Sequence, residues 1–157
     1  MIAPKINREK ACAFTGHRVV ANAFNKERLK EEIFNAIERG FDTFLVGMAV
    51  GFDTIAFQIL EKIRETIDIK IVACIPCKNQ DLKFNIAQKK EYQRMVTSAD
   101  YRIVLSESYT NTCMMDRNKF MVDNSSLLIA YVTKTFGGSF KTKEYAKDNG
   151  IEVIELN

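Results

Sequence analysis

Short apolar runs recur along the chain, each followed by a turn and then by a longer stretch with helical periodicity. The runs occupy residues 11–14, 43–46, 70–75, 102–105, 127–132 and 152–156. They are β-branched or aromatic in character, and most lack strict alternation, as strands covered on both faces do. Between them, residues 26–39 place Leu29, Ile33, Ala36 and Ile37 on one helical stripe, with Asn25 as an N-cap and Gly40 just past the end. Residues 52–66 repeat the pattern with Ile55, Ala56, Ile59, Leu60 and Ile63. Weaker helical patterns cover 84–98, 112–123 and 142–149, the last closed by Gly150.

This alternation predicts a three-layer α/β sandwich with a mostly parallel sheet of about six strands. In such folds the right-handed crossovers bring every strand-to-helix loop to one edge of the sheet, and ligands bind there. Composition fits a single domain over residues 1–157. Hydrophobic residues make up 46% of the 157, enough for a sizeable core, and only 2 prolines and 7 glycines argue against a disordered or fibrous chain. The net charge of +3 does not demand a polyelectrolyte partner. The longest apolar stretch, residues 44–52, falls far short of the roughly 20 residues of a membrane span. The N-terminus is polar, so neither a membrane nor a secretory leader is expected. Four cysteines in apolar surroundings suit a reducing cytoplasm better than a disulfide scaffold.

The loops expected at the functional edge carry most of the chemistry. After the first strand come Thr15, Gly16, His17 and Arg18, which offer a hydroxyl, a tight turn, the chain's one imidazole and a guanidinium suited to phosphate. After the second strand, Gly47 and Gly51 precede a helix whose N-terminus favours anions. Asp53 either caps that helix, reaches a ribose, or does both. This stretch is not the GxGxxG dinucleotide fingerprint. Cys74 and Cys77 close the third strand instead of opening a helix, which points to packing over redox or zinc chemistry. No metal or other cofactor is expected. Met114, Arg117 and Met121 share one helical face; Arg117 either snorkels to water or is a cation held by the helix wall and aimed at a cleft, and the second reading is preferred. After the fifth strand, Gly137, Gly138, Ser139 and Thr142 have the composition of a phosphate cradle, although not the Walker A spacing.

Four of these stretches, TGHR, GMAVGFD, RNKFMVDNS and GGSFKTKEYA, occur in order and resemble the YspA/YpsA-like family over residues 11–156. That family belongs to the SLOG superfamily, named for the DNA-processing protein Smf/DprA and the Lonely Guy (LOG) enzymes. The resemblance implies a Rossmann-like fold and a nucleotide or nucleotide-derived ligand. The LOG branch hydrolyses N-glycosidic bonds of nucleoside monophosphates and carries M-x-x-R-x-x-x-M, which Met114, Arg117 and Met121 match, so Arg117 falls on the branch's catalytic arginine. Its PGGxGTxxE motif is matched less well. Phe136, Phe140 and Lys141 depart from it, and bulky Phe140 is expected to crowd the cradle. Counting from Gly137 sets Glu144 on the catalytic glutamate, whereas anchoring on Thr142 sets Tyr145 there, as in the YspA-like form.

The expected function is therefore nucleotide binding by a sensor or regulatory module. Thr15, Gly16, His17, Arg18, Gly47, Gly51, Asp53, Gly137, Gly138, Ser139 and Thr142 would form the ligand site. A phosphoribohydrolase using Arg117 with Glu144 or Asp53 is the alternative, and a single-stranded DNA-binding module is a second alternative. Low net charge and the lack of a basic–aromatic platform argue against nucleic acid as a partner. A homo-oligomer is compatible with LOG-like helices.

Overall fold

A computed structural model describes residues 5–157; residues 1–4, the start of the polar N-terminus, lie outside the described residues. After a single 3-10 turn at Arg8–Lys10, strands and helices alternate without exception: β1 (Ala11–Gly16), α1 (Lys26–Glu38), β2 (Thr43–Val46), α2 (Phe52–Arg64), β3 (Lys70–Ile75), α3 (Ile86–Ser98), β4 (Tyr101–Val104), α4 (Cys113–Asp123), β5 (Leu127–Tyr131), α5 (Gly138–Asp148) and β6 (Glu152–Glu155). All six strands are parallel, in the order β4-β3-β2-β1-β5-β6.

The order explains why the apolar runs do not alternate. Successive residues of each central strand enter two separate cores. Cys12, Phe14, Phe44, Val46, Ile71, Ala73, Leu127 and Ile129 pack with α1, α2 and α3. Ala11, Ala13, Leu45, Val72, Cys74 and Leu128 pack with α4 and α5 through Met121, Val122 and Ala146. Three helices thus cover one face and two the other. The first face takes the bulkiest side chains, Phe14, Phe44, Phe52 and Phe57, all fully buried. Each such phenyl ring contributes about 1.5–3 kcal/mol of burial free energy. All four cysteines are buried and free, and burial pushes the Cys74 thiol up to about 12, which agrees with a packing role.

Element boundaries depart from the sequence expectation at instructive places. β1 extends two residues further because Thr15 and Gly16 pair with Ala130 and Tyr131 of β5. α3 begins at Ile86, since Asn85 forms a reciprocal capping box with Gln88. α5 begins at Gly138, four residues before Thr142. Two glycines in succession hide that first turn from propensity. Among the described residues, no helix is long and apolar enough to cross a membrane.

Candidate functional site

Strand order reverses between β1 and β5: β2, β3 and β4 extend to one side of β1, while β5 and β6 lie on the other. At such a switch point the loops leaving two neighbouring strands diverge to opposite faces and open a crevice. A cleft of about 260 Å³ occupies it, walled by the loops after β1 and β5, by Ala49 and Asp53 near α2, and by Arg117 and Asn118 of α4.

The walls are built by close contacts. Phe52 N–H donates to the His17 carbonyl at 3.0 Å, tying α2 to the loop after β1. Gly51 makes this approach possible: it has φ +84°, and a Cβ there would lie 2.1 Å from the Arg18 carbonyl oxygen. Its neighbour Met48 also has positive φ, 67°, a strained setting for a residue with a side chain. His17 pins the opposite wall. Its Nε2 accepts the Thr133 N–H at 2.8 Å, and its ring meets Tyr131 edge-on at 5.5 Å. Burial, aided by Lys134, holds the imidazole below its usual pKa and so favours the neutral ring that this bond requires. Ser139 Oγ donates to the Gly16 carbonyl at 2.7 Å and closes the ring of loops.

Arg117 lies at the bottom of the cleft, only 5% exposed. Its Nη1 donates to the Gly47 carbonyl and its Nε to Asn118 Oδ1 at 2.7 Å. Gly47 passes close beneath the guanidinium, for a Cβ there would lie 2.8 Å from Nη1. Asp53 is the buried carboxyl of the site. It does not cap α2; its Oδ2 instead accepts the Ala49 N–H at 3.1 Å. Burial pushes its pKa up to about 6, opposed by Arg117, the Ala49 bond and Arg18.

Arg18, Lys134 and Arg117 line the cleft against one carboxylate, so its field is positive. The N-terminus of α5 adds to that field. Gly137, the N-cap, has no side chain to bond the first N–H groups, and Gly138 and Ser139 face the cleft. Free amides and the helix dipole there favour an anion.

Nine of the expected site residues therefore line one cleft: Thr15, Gly16, His17, Arg18, Asp53, Arg117, Gly137, Gly138 and Ser139. Gly47 and Gly51 stand behind its wall as supports. The structure places Thr142 and Glu144 outside the cleft lining. Thr142 is fully buried, and its Oγ1 donates to the Gly138 carbonyl at 2.8 Å, so it braces the first turn of α5 behind the cleft wall. Glu144 is half-buried outside the cleft lining, because starting α5 at Gly138 carries it about 9 Å along the helix axis. Tyr145 is no substitute; its Oη donates to Asp123 at 2.7 Å. Phe140 does not crowd the cleft, but lies beneath Lys143 Nζ at 5.6 Å. Sequence reasoning missed Ala49, Asn118, Lys134 and Phe136 as wall residues. Lys134 and Phe136 could have been found from their position directly after β5.

An all-parallel sheet with a positive cleft at its switch point defines a Rossmann-like domain. A family model described as the YspA SLOG family matches residues 14–152, and the chain belongs to that family. It is 28% identical over 140 residues to the uncharacterized SPbeta prophage-derived protein YoqJ of Bacillus subtilis, covering 76% of this chain and 81% of that protein. A UPF0398 protein of Brevibacillus brevis is 27% identical over 130 residues, covering 80% and 69% respectively. Among solved structures, DNA processing protein A (DprA) of Streptococcus pneumoniae superposes with TM-score 0.69 at 21% identity over 94% of this chain. DprA of Helicobacter pylori, whose structure concerns its single-stranded DNA binding mode, gives 0.65 at 17% identity over 95%. The chain spans 50% of the first and 66% of the second, and at these identities the likeness is one of fold.

Proposed function

We propose that this protein binds a nucleotide or nucleotide-derived ligand at the β1–β5 cleft and acts as a sensor or regulatory module. One observation carries the reading: three cations and an uncapped helix N-terminus converge on a single cleft at the carboxyl edge of the sheet. The ligand's phosphate lies against the amides of Gly138 and Ser139, with Arg18 and Lys134 at the rim and Arg117 below. Asp53 accepts from a ribose hydroxyl, for which its remaining lone pairs suit it. Calorimetric titration with ribose 5-phosphate, nucleoside monophosphates, NAD and ADP-ribose tests the proposal. Binding that weakens about ten- to a hundredfold in Arg117→Ala is the expected result; no heat and no thermal shift from any of them overturns it.

Two observations favour other readings. A carboxyl held near pKa 6 beside a buried guanidinium suits acid–base work, so N-glycosidic hydrolysis would fall to Asp53 in place of Glu144. Release of free base from nucleoside monophosphates, abolished in Asp53→Asn, would establish it. The DprA neighbours favour a single-stranded DNA module and weigh against dismissing nucleic acid as a partner. That reading requires oligonucleotide affinity that falls steeply as salt rises.

A further inference from the structure

A second, larger cavity of about 530 Å³ adjoins the cleft and shares two of its walls, Arg18 and Ala49. The turn after β3 supplies its polar side through Gln80, which is only 7% exposed. Gln80 Nε2 donates to the Gly47 carbonyl at 3.1 Å, the same oxygen that receives Arg117. That bond fixes the amide, because a flipped amide would set two acceptors face to face. Gln80 Oε1 is then a buried acceptor, and it has no donor among the described residues. Buried acceptors without protein partners are rare, so this one stands open to a hydrogen-bond donor. Phe84, Tyr109, Met114 and Leu82 provide broad apolar and aromatic surface in the same cavity, with Leu82 and Tyr109 more than half exposed.

We infer that this cavity is a nucleobase subsite, in which an N–H of the base donates to Gln80 Oε1. The inference rests on the nucleotide reading of the neighbouring cleft. The phosphate occupies the cleft, the ribose crosses at Arg18 and Ala49, and the base lies against Phe84 and Met114. Other occupants fit less well. An alkyl chain leaves Oε1 unmet, and a second phosphate meets it with another acceptor. A flat ring with an N–H donor satisfies both halves of the lining.

Paired analogues test this on the intact chain. Adenosine 5′-monophosphate is compared with purine riboside 5′-monophosphate, and cytidine 5′-monophosphate with pyrimidin-2-one riboside 5′-monophosphate; each second member lacks the base N–H. Ribose 5-phosphate serves as the reference. At least one amino-bearing member should bind about tenfold tighter than its partner, since a site built for a hydrogen bond rejects the ligand lacking it. Gln80→Met should shrink that ratio to less than about threefold, while ribose 5-phosphate still binds. If neither pair is discriminated by the unmodified protein, or if discrimination survives in Gln80→Met, the base subsite is overturned. Ribose 5-phosphate binding with no gain from any base overturns the subsite alone. Failure of every probe, ribose 5-phosphate included, overturns the nucleotide reading and the subsite with it.

Discussion

Replacing Asp53 by asparagine should stabilise the protein at neutral pH and remove a component of its pH dependence. The carboxyl is 7% exposed, and its pKa is raised from 3.8 to about 6, chiefly by burial and despite Arg117 and Arg18. A raised pKa means that the folded state holds its proton more tightly than the unfolded chain. The stability associated with the protonated form is therefore fully present below the unfolded value near 3.8 and is lost as pH rises through about 6. That rise from 3.8 to about 6 costs about 3 kcal/mol once both states are ionised, and about half of that at about pH 5. Asparagine matches the protonated carboxyl in shape and keeps an acceptor for the Ala49 N–H. Urea denaturation of both proteins across the range should show nearly equal stability at about pH 4. The variant's advantage should grow toward about 3 kcal/mol at about pH 7.5. A difference that does not vary with pH, or a variant that is weaker at neutral pH, would refute the assignment of Asp53 as a destabilising buried carboxylate. The test needs no ligand.

Arg117→Ala should lower affinity for ribose 5-phosphate by about ten- to a hundredfold, as expected for loss of a charge-assisted hydrogen bond, and calorimetry reads this directly. Gly51→Ala combines a positive φ with a Cβ placed 2.1 Å from the Arg18 carbonyl oxygen, so it should cost more than about 2 kcal/mol of unfolding free energy, read by urea denaturation, and displace the loop carrying His17 and Arg18. His17 has a lowered pKa, so its contribution is present above about 6.5 and is lost as pH falls through the folded value; His17→Gln should flatten the stability profile there, and an unchanged slope would count against the Thr133 pin.

The sheet and most of the helices are legible because burial on both faces of the central strands leaves a signature in composition: six short apolar runs, most without alternation, correspond to six parallel strands. The cleft's location was legible too, since chain alternation and crossover handedness dictate which loops share an edge. Arg117 could be read from its place between Met114 and Met121, and it is the buried cation that spacing suggested. What could not be read depends on contacts between distant segments. Gln80 gains meaning only because the Gly47 carbonyl, 33 residues away, takes its Nε2 proton. Thr142 looked like a ligand contact because nothing local shows that α5 has already begun at Gly138. The strand order, which puts β5 beside β1, is likewise a long-range choice that no single window of sequence contains.

That strand order also sets a timetable. β1 to β4 are laid down side by side in the order in which a ribosome would deliver them, so the first two-thirds of the chain can begin to assemble as it emerges. β5 must then return to the open flank of β1, where Cys12 pairs with Leu127 across a gap of more than a hundred residues. Contacts of such separation form late and slowly. The α5 amides and Lys134 arrive only with or after β5, so the anion cleft does not exist in the nascent chain. A ligand bound at this cleft would therefore stabilise the folded molecule without guiding its early folding.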